Sequence, residues 1–389
     1  MKLELIATAT FGLEAVVRRE IEALGYEIIK TEDGKVTFWG DERAIVRANL
    51  WLRSADRVLL KMAEFEAKTF EELFQQTTAL YWERLIPLDG RFTVTCSTVK
   101  SQLHHPPSIQ SIAKKAIVER MKLAYGFERF KETGADYTVK VTLLKNRVTL
   151  TVDTTGPGLH KRGYRTADVE APIKETLAAA LIQLSFWNRD RLLIDPCCGS
   201  GTIPIEAALI AGNIAPGLNR KFVSEDWGYI DKSIWKEERR NAFDAIIPAD
   251  QLEGRIVARD IDSRAVRAAK ENALEAGVEE YIEITRGDIA RFEPEVSKDP
   301  AETGGESLWT NAVIVTNLPY GVRIGDDVQI QKIYNALKRL CKTNPGWSVF
   351  AITSDKEMEK AMGRKANRRR KLYNGNIETT YYQFHGVKR

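Results

Sequence analysis

A chain of 389 residues is long enough for two or three domains, each with a sizeable core. Its 43% apolar and 29% charged residues are ordinary for a soluble globular protein, and a net charge of +4 does not by itself demand a polyanion. No run of eighteen apolar residues, no signal-peptide core at Met1-Lys2-Leu3-Glu4 and only four cysteines, two of them adjacent, argue against a spanning helix, a disulfide framework and a spaced zinc site. A reduced, cytoplasmic setting with no membrane and no metal is expected.

In chain order, residues 2–9 alternate as a strand and 11–24 carry helical periodicity closed by Gly25. Residues 26–30 and 35–39 read as strands joined at Asp33-Gly34. Asp41 can cap a helix to Leu52, and 58–65 forms another strand. This β-α-β-β-α-β order is the ferredoxin-like pattern. A helix at 69–80, a strand at 92–99, a polar loop at 101–108, a helix at 109–124 and a hairpin at 137–152 follow. Thr154-Thr155-Gly156-Pro157-Gly158 breaks the pattern. A helix from Ala171 to Trp187, with Pro172 in its first turn, then leads into alternating strands and helices. Strands are expected at 192–194, 255–259, 281–285, 312–316 and 347–352, with a terminal hairpin turning at Gly375. Ser263 is the expected cap of the helix after the second strand. An interruption at 213–254 has no role that the sequence supplies.

The stretch Asp195-Pro196-Cys197-Cys198-Gly199-Ser200-Gly201-Thr202 lies between a strand and a helix, the unit that opens a doubly wound sheet. Glycines let backbone approach a ligand closely, and the helix offers free N–H groups. An acid at the strand end disfavours phosphate and suits a cationic, hydroxyl-rich ligand such as S-adenosylmethionine. A dinucleotide fits poorly, because Pro204 stands where its third glycine belongs and no acid closes a strand some twenty residues on. Ligands of such sheets lie beyond the carboxyl ends of the strands. Asp195 suits the methionine ammonium, Asp260 the ribose diol and Asp288 the adenine amine. Asp195, Cys197, Gly199, Gly201, Thr202, Asp260, Asp288 and Asn317 form the expected cofactor set.

Asn317-Leu318-Pro319-Tyr320 is the expected catalytic segment. A purine's exocyclic amine is a poor nucleophile because its lone pair is conjugated into the ring. The Asn317 side-chain oxygen and the Leu318 carbonyl can accept its two hydrogens and aim that pair. Pro319 stiffens the turn and Tyr320 can stack on the base. Positioning supplies most of the catalysis, so no strong base is required. No cysteine adjoins the segment, which argues against thiolate addition to a pyrimidine.

Basic clusters point to nucleic acid, which must be flipped or single-stranded to present its amine. Six of the eight residues from Arg364 to Lys371 are Lys or Arg. Lys114, Lys115, Lys161, Arg162, Arg165, Arg368, Arg369 and Arg370 are the expected RNA contacts.

Taken together, these residues resemble the class I methyltransferases with an N-terminal THUMP domain that make N2-methylguanosine in RNA, of the RlmL type acting on 23S rRNA. The resemblance rests on Leu159-His160-Lys161-Arg162-Gly163-Tyr164-Arg165, on Ala171-Pro172-Ile173-Lys174-Glu175-Thr176-Leu177 and on the Asp195–Thr202 turn. Asn213-Ile214-Ala215-Pro216-Gly217-Leu218 and Arg364-Lys365 extend it. It implies an α/β fold: a Rossmann-like methyltransferase domain at 171–389 behind an α+β region. That region comprises a ferredoxin-like part at 1–44, completed by residues to about 65, and a THUMP domain at 45–155, with a linker at 156–170. It also implies S-adenosylmethionine as cofactor and RNA as partner, ribosomal rather than transfer RNA. The family usually has Asn-Pro-Pro-Tyr; Leu318 replaces the first proline, which leaves the carbonyl but loosens the inference of base preference. Adenine N6 methylation, transfer RNA as substrate and an RNA-binding assembly factor with a vestigial cofactor fold remain as alternatives.

Overall fold

The protein is described from a computed structural model, over residues 2–166, 173–294, 311–319 and 326–387. It divides into two compact units, each discontinuous in sequence.

The first unit holds Met1–Ala9, Val17–Leu159 and Arg220–Asn241. Its strands are β1 (Leu3–Ala9), β2 (Ile28–Glu32), β3 (Lys35–Gly40), β4 (Ala55–Glu66), β5 (Arg91–Val99), β6 (Asp136–Leu144) and β7 (Arg147–Asp153). Its helices include α2 (Glu42–Trp51), α3 (Phe70–Thr78) and α4 (Pro106–Tyr125); the first helix, α1 (Glu14–Ala23), begins just before it. The strands form one sheet in the order β2-β3-β1-β4-β7-β6-β5. The ferredoxin-like quartet therefore continues into the later strands through β4, which pairs with both β1 and β7.

Local chemistry sets most element ends. Asp41 caps α2 by accepting from Ala44 N–H at 2.8 Å, and Thr69 with Glu72 closes a capping box on α3. Lys145 and Asn146 both take positive φ, 53° and 65°, the turn that matches the twist of the β6–β7 hairpin. The structure differs from expectation at α4, which starts at Pro106 with His105 as its cap rather than at Ile109; proline tolerates the first helical position because that N–H has no partner there. Thr154 and Thr155, read as part of a break, are buried: Asn49 donates to Thr154 Oγ1 at 2.9 Å and accepts from Thr155 Oγ1 at 2.7 Å.

The interruption at 213–254 also acquires a place. Residues 220–241, including most of helix α7 (Lys232–Asp244), pack within this first unit. Trp227 stacks on Tyr137 with centroids 4.9 Å apart and donates through Nε1 to the Asp136 carbonyl at 2.9 Å. Ser224 Oγ donates to the Thr154 carbonyl at 2.7 Å, and Arg43 pairs with Glu237 and Glu238.

The second unit holds Thr10–Val16, His160–Asn219 and Ala242–Arg389. Its strands are β8 (Leu193–Asp195), β9 (Ile256–Asp260), β10 (Ile282–Arg286), β11 (Val313–Asn317), β12 (Ser348–Thr353), β13 (Arg368–Asn374) and β14 (Ile377–Phe384). Its helices are α5 (Glu175–Leu184), α6 (Thr202–Ala211), α8 (Ser263–Glu275), α9 (Asp326–Thr343) and α10 (Met358–Met362). The sheet order is β10-β9-β8-β11-β12-β14-β13, parallel except for the terminal hairpin. Successive strand residues enter opposite cores. Leu193, Ile256, Val313 and Phe350 join α5, α6 and α8, whereas Ile194, Val257, Ile314 and Ala351 join α9. Burial on both faces is why these strands read as unbroken apolar runs. Helix α5 starts at Glu175 rather than at Ala171; Ala171 and Pro172 lie outside the described residues. Asp262, not Ser263, caps α8, because its carboxylate reaches Arg264 N–H at 2.9 Å. No described helix is long and apolar enough to cross a membrane.

Trp227→Ala removes a fully buried indole and its hydrogen bond. It is expected to cost about 3–5 kcal/mol of folding free energy, measured as a lowered midpoint in urea unfolding followed by Tyr and Trp fluorescence.

Candidate active site

The strand order reverses between β8 and β11, and the helices that follow them leave on opposite faces. Such a switch opens a crevice at the carboxyl ends of the strands. A cavity of about 760 Å³ lies there, and Asp195, Asp260, Asp288 and Asn317 all line it.

The glycine turn is held in shape by backbone bonds. Asp260 accepts from Gly199 N–H through Oδ2 and from Asp262 N–H through Oδ1, both at 2.9 Å. Cys198 N–H donates to the Arg259 carbonyl, and Asn272 Nδ2 donates to the Ser200 carbonyl at 3.0 Å. Gly201 sits at φ +84° as the cap of α6, and a Cβ there would lie 3.1 Å from the Ala269 side chain. Only glycine meets both demands. Gly201 contributes no side-chain cap, so the Thr202 and Ile203 N–H groups in the first turn of α6 are left for a ligand, Pro204 having none. Thr202 is buried, and its hydroxyl accepts from Arg165 at 3.0 Å.

The acids differ in state. Asp195 is wholly buried, and desolvation pushes its carboxyl up to about 7 despite the Cys197 N–H that donates to it. Asp288 is half-buried and accepts from Ala290 N–H at 2.8 Å. Burial, then the charges of Asp195, Asp260 and Asp288, push the Cys197 thiol well above its ordinary value, so it lines the cavity as a neutral group.

At the end of β11 the Asn317 Oδ1 atom is buried and accepts no hydrogen bond among the described residues. Leu318 is buried and its N–H donates to the Ile352 carbonyl at 3.1 Å, while its own carbonyl accepts nothing among the described residues. Pro319 is exposed at the rim; Tyr320 lies outside the described residues. An unsatisfied buried acceptor is costly unless a ligand completes it.

Several lining residues escaped the sequence reading. Ile261 and Ile289 each follow a strand-end acid and line the cavity, and Ile261 is 47% exposed. The repeated Asp-Ile at 260–261 and 288–289 was the available signal, since an apolar side chain beside each strand-end acid suits the face of a flat ring. Val328, Gln329 and Lys332 of α9 complete the wall beside Asn317.

Some of the expected RNA contacts lie elsewhere than supposed. Arg162 is buried and pairs with Glu206 of α6 at 3.3 Å, with Tyr164 donating to the same carboxylate at 3.1 Å. A buried guanidinium held this way has no face for a phosphate. Arg165 reaches the Ile173 carbonyl and Thr202, which braces the cofactor turn. Lys114 and Lys115 are exposed, with their ammonium groups over Phe92 and Phe74. Lys161 and Arg368 are exposed and Arg370 is half-buried; Arg369 lies 3.6 Å from Glu359 on the edge strand β13.

A family model described as an RMKL-like methyltransferase domain matches residues 162–383, more than half of the chain. The chain belongs to this methyltransferase family. An RlmL ferredoxin-like domain matches residues 4–59 and a THUMP domain residues 67–153. The Bacillus subtilis protein named "Putative RNA methyltransferase YpsC" is 49% identical over 388 residues, covering 98% of this chain and 96% of that one. "Ribosomal RNA large subunit methyltransferase K/L" of Syntrophotalea carbinolica is 32% identical over 98% of this chain, which spans 53% of its length. Crystal structures of similar proteins align over the whole chain, two of them as follows. One is of a protein called a "predicted N6-adenine-specific DNA methylase" from Listeria monocytogenes, at 47% identity, a TM-score of 0.91 and 97% of that chain. The other is SMU.472 complexed with SAH, at 41% identity, a TM-score of 0.90 and 99% of that chain.

The cofactor of this methyltransferase is S-adenosylmethionine, and the residues present fit it. A carboxylate tied only to backbone amides has lone pairs left for a diol, the buried Asp195 suits a cation, and the uncapped α6 suits a carboxylate.

The raised Asp195 carboxyl has a pH consequence. Its proton must leave before the group attracts a cationic cofactor, so affinity is expected to rise as pH increases through about 7 and to level off above it. Calorimetric titration with S-adenosylmethionine between about pH 5.5 and 8.5 measures this, and Asp195→Asn should flatten the profile. The same shift lowers fold stability as pH rises from the ordinary carboxyl range to about 7, because the unfolded chain then releases a proton that the folded chain retains. Arg162→Ala strands Glu206 in the interior. It should cost about 3–5 kcal/mol of stability in urea unfolding, and the salt dependence of RNA binding should not change.

Proposed function

We propose that the protein transfers a methyl group from S-adenosylmethionine to the exocyclic N2 amine of a guanosine in RNA, with the large ribosomal subunit RNA as substrate, in the cytoplasm. The observation that carries this reading is the buried Asn317 Oδ1 beside the Leu318 carbonyl, neither with a partner among the described residues, in the same cavity as Asp195, Asp260 and Asp288. An amine bearing two hydrogens meets both acceptors at once. That contact draws the nitrogen's lone pair out of ring conjugation and directs it away from β11. When bound, the cofactor supplies a methyl group made electrophilic by its sulfonium. Asp260 and Asp288 would hold the nucleoside end of the cofactor, with Ile261 and Ile289 against the faces of its base. The neutral Cys197 thiol does not suit addition to a pyrimidine ring, which favours an exocyclic amine as the acceptor.

RNA is favoured by the THUMP match and by the names of the two relatives; ribosomal RNA is favoured by the name of the K/L relative, and guanine N2 by the RlmL resemblance. Adenine N6 methylation is the second reading, favoured by the name of the Listeria protein.

Asn317→Ala should lose on the order of 2–4 kcal/mol of transition-state stabilisation, or roughly 30- to 1000-fold in kcat, assayed with tritiated cofactor. Nucleoside mass spectrometry of ribosomal and transfer RNA from cells with and without the protein identifies the product. Loss of N2-methylguanosine from 23S rRNA is expected. Loss of N6-methyladenosine instead would replace guanine with adenine, and an unchanged nucleoside profile would defeat the assignment.

A further inference from the structure

The charges around the cavity are unevenly placed. Four carboxylates line it (Asp195, Asp260, Asp262 and Asp288) and, among the described residues, a single cation, Lys332. The acids belong to the ends of β8, β9 and β10, on one side of the strand reversal. Lys332 belongs to α9, which follows β11, and lines the cavity together with Asn317, Pro319 and Gln329. Its side chain is exposed and has no ion-pair partner among the described residues.

The helix that presents it is firmly seated. Tyr334 donates to Asp355 Oδ2 at 2.7 Å, and Arg339 Nη2 donates to the Phe292 carbonyl at 2.9 Å. Ile333, Leu337 and Leu340 are buried beneath, and Ile333 reaches the same cavity. The ammonium therefore swings only on its own four-carbon stem.

A nucleotide brought to Asn317 carries phosphates on both flanks. The acids bar those phosphates from the cofactor side, so they must pass along the wall of α9. The cofactor's one anion, its carboxylate, would find donors in the Thr202 and Ile203 amides at the start of α6, on the far side of the reversal. We propose that Lys332 contacts a phosphate flanking the target nucleotide and so positions the base at Asn317. It is a positioning residue of the methyl transfer, and this role rests on the reading of the cavity as a nucleic-acid methylation site.

The test compares Lys332→Gln and Lys332→Arg with the wild-type protein on ribosomal RNA from cells lacking it. Lys332→Gln should raise KM for RNA about tenfold, with the change carried mainly in KM rather than kcat. It should leave S-adenosylmethionine affinity by calorimetry as it was, and Lys332→Arg should restore most of the loss. The slope of log affinity against log salt for RNA binding should shrink by about 0.7 to 1, the loss of one phosphate contact. Weakened cofactor binding with unchanged RNA affinity would overturn the inference and assign the ammonium to the cofactor carboxylate. Unchanged KM and unchanged slope would overturn it outright. The salt slope is read without turnover, so a wild-type protein that binds RNA but methylates no guanosine would count against the proposed base and still test Lys332.

Discussion

Asp260 holds three strand ends together. Its two carboxylate oxygens take the N–H groups of Gly199 and Asp262, and its main-chain carbonyl accepts from Gly287 N–H at 2.9 Å. The glycine turn after β8, the end of β9 and the end of β10 are thereby fixed to one another. A crevice that strand topology only permits becomes a cavity of set shape, with donors and acceptors in place before any ligand enters. Preorganisation of this kind is what lets fixed dipoles act on a reacting group without reorganisation cost.

Around that anchor the cavity has two different sides. The β8–β10 side is acidic, tied down by backbone bonds and suited to a cation with hydroxyl groups. The β11 side ends in acceptors that nothing in the described protein satisfies. The contrast follows from the sheet: strands on either side of the reversal receive helices from opposite faces, so each side is built from separate stretches of chain. One side can be tuned to a cofactor and the other to a substrate without shared residues.

Much of this was legible in the sequence because it is local. Double-sided burial writes itself as apolar runs, and the glycine turn and the acids that end strands sit within a few residues of the elements that place them. Asp41 announced its helix in the same way. What was missed depends on partners distant in the chain. Arg162 looked like part of a basic cluster until Glu206, 44 residues away, met it inside the protein. Ile261 and Lys332 were not singled out, because only the folded sheet brings them to one cavity. Thr154 and Thr155 carried the composition of a loop, yet Asn49 satisfies both hydroxyls and lets them be buried.

The segment 220–241 bears on how the chain acquires its structure during synthesis. Its indole covers Tyr137 and its serine closes a bond to Thr154, so the first unit lacks part of its interior while only its own leading sequence exists. The missing piece is translated after β8 and α6, in the midst of the second unit. The usual order, in which a leading domain matures before the next emerges from the ribosome, is therefore closed to this protein. Its leading unit stays unfinished until the glycine turn of the other has already been made.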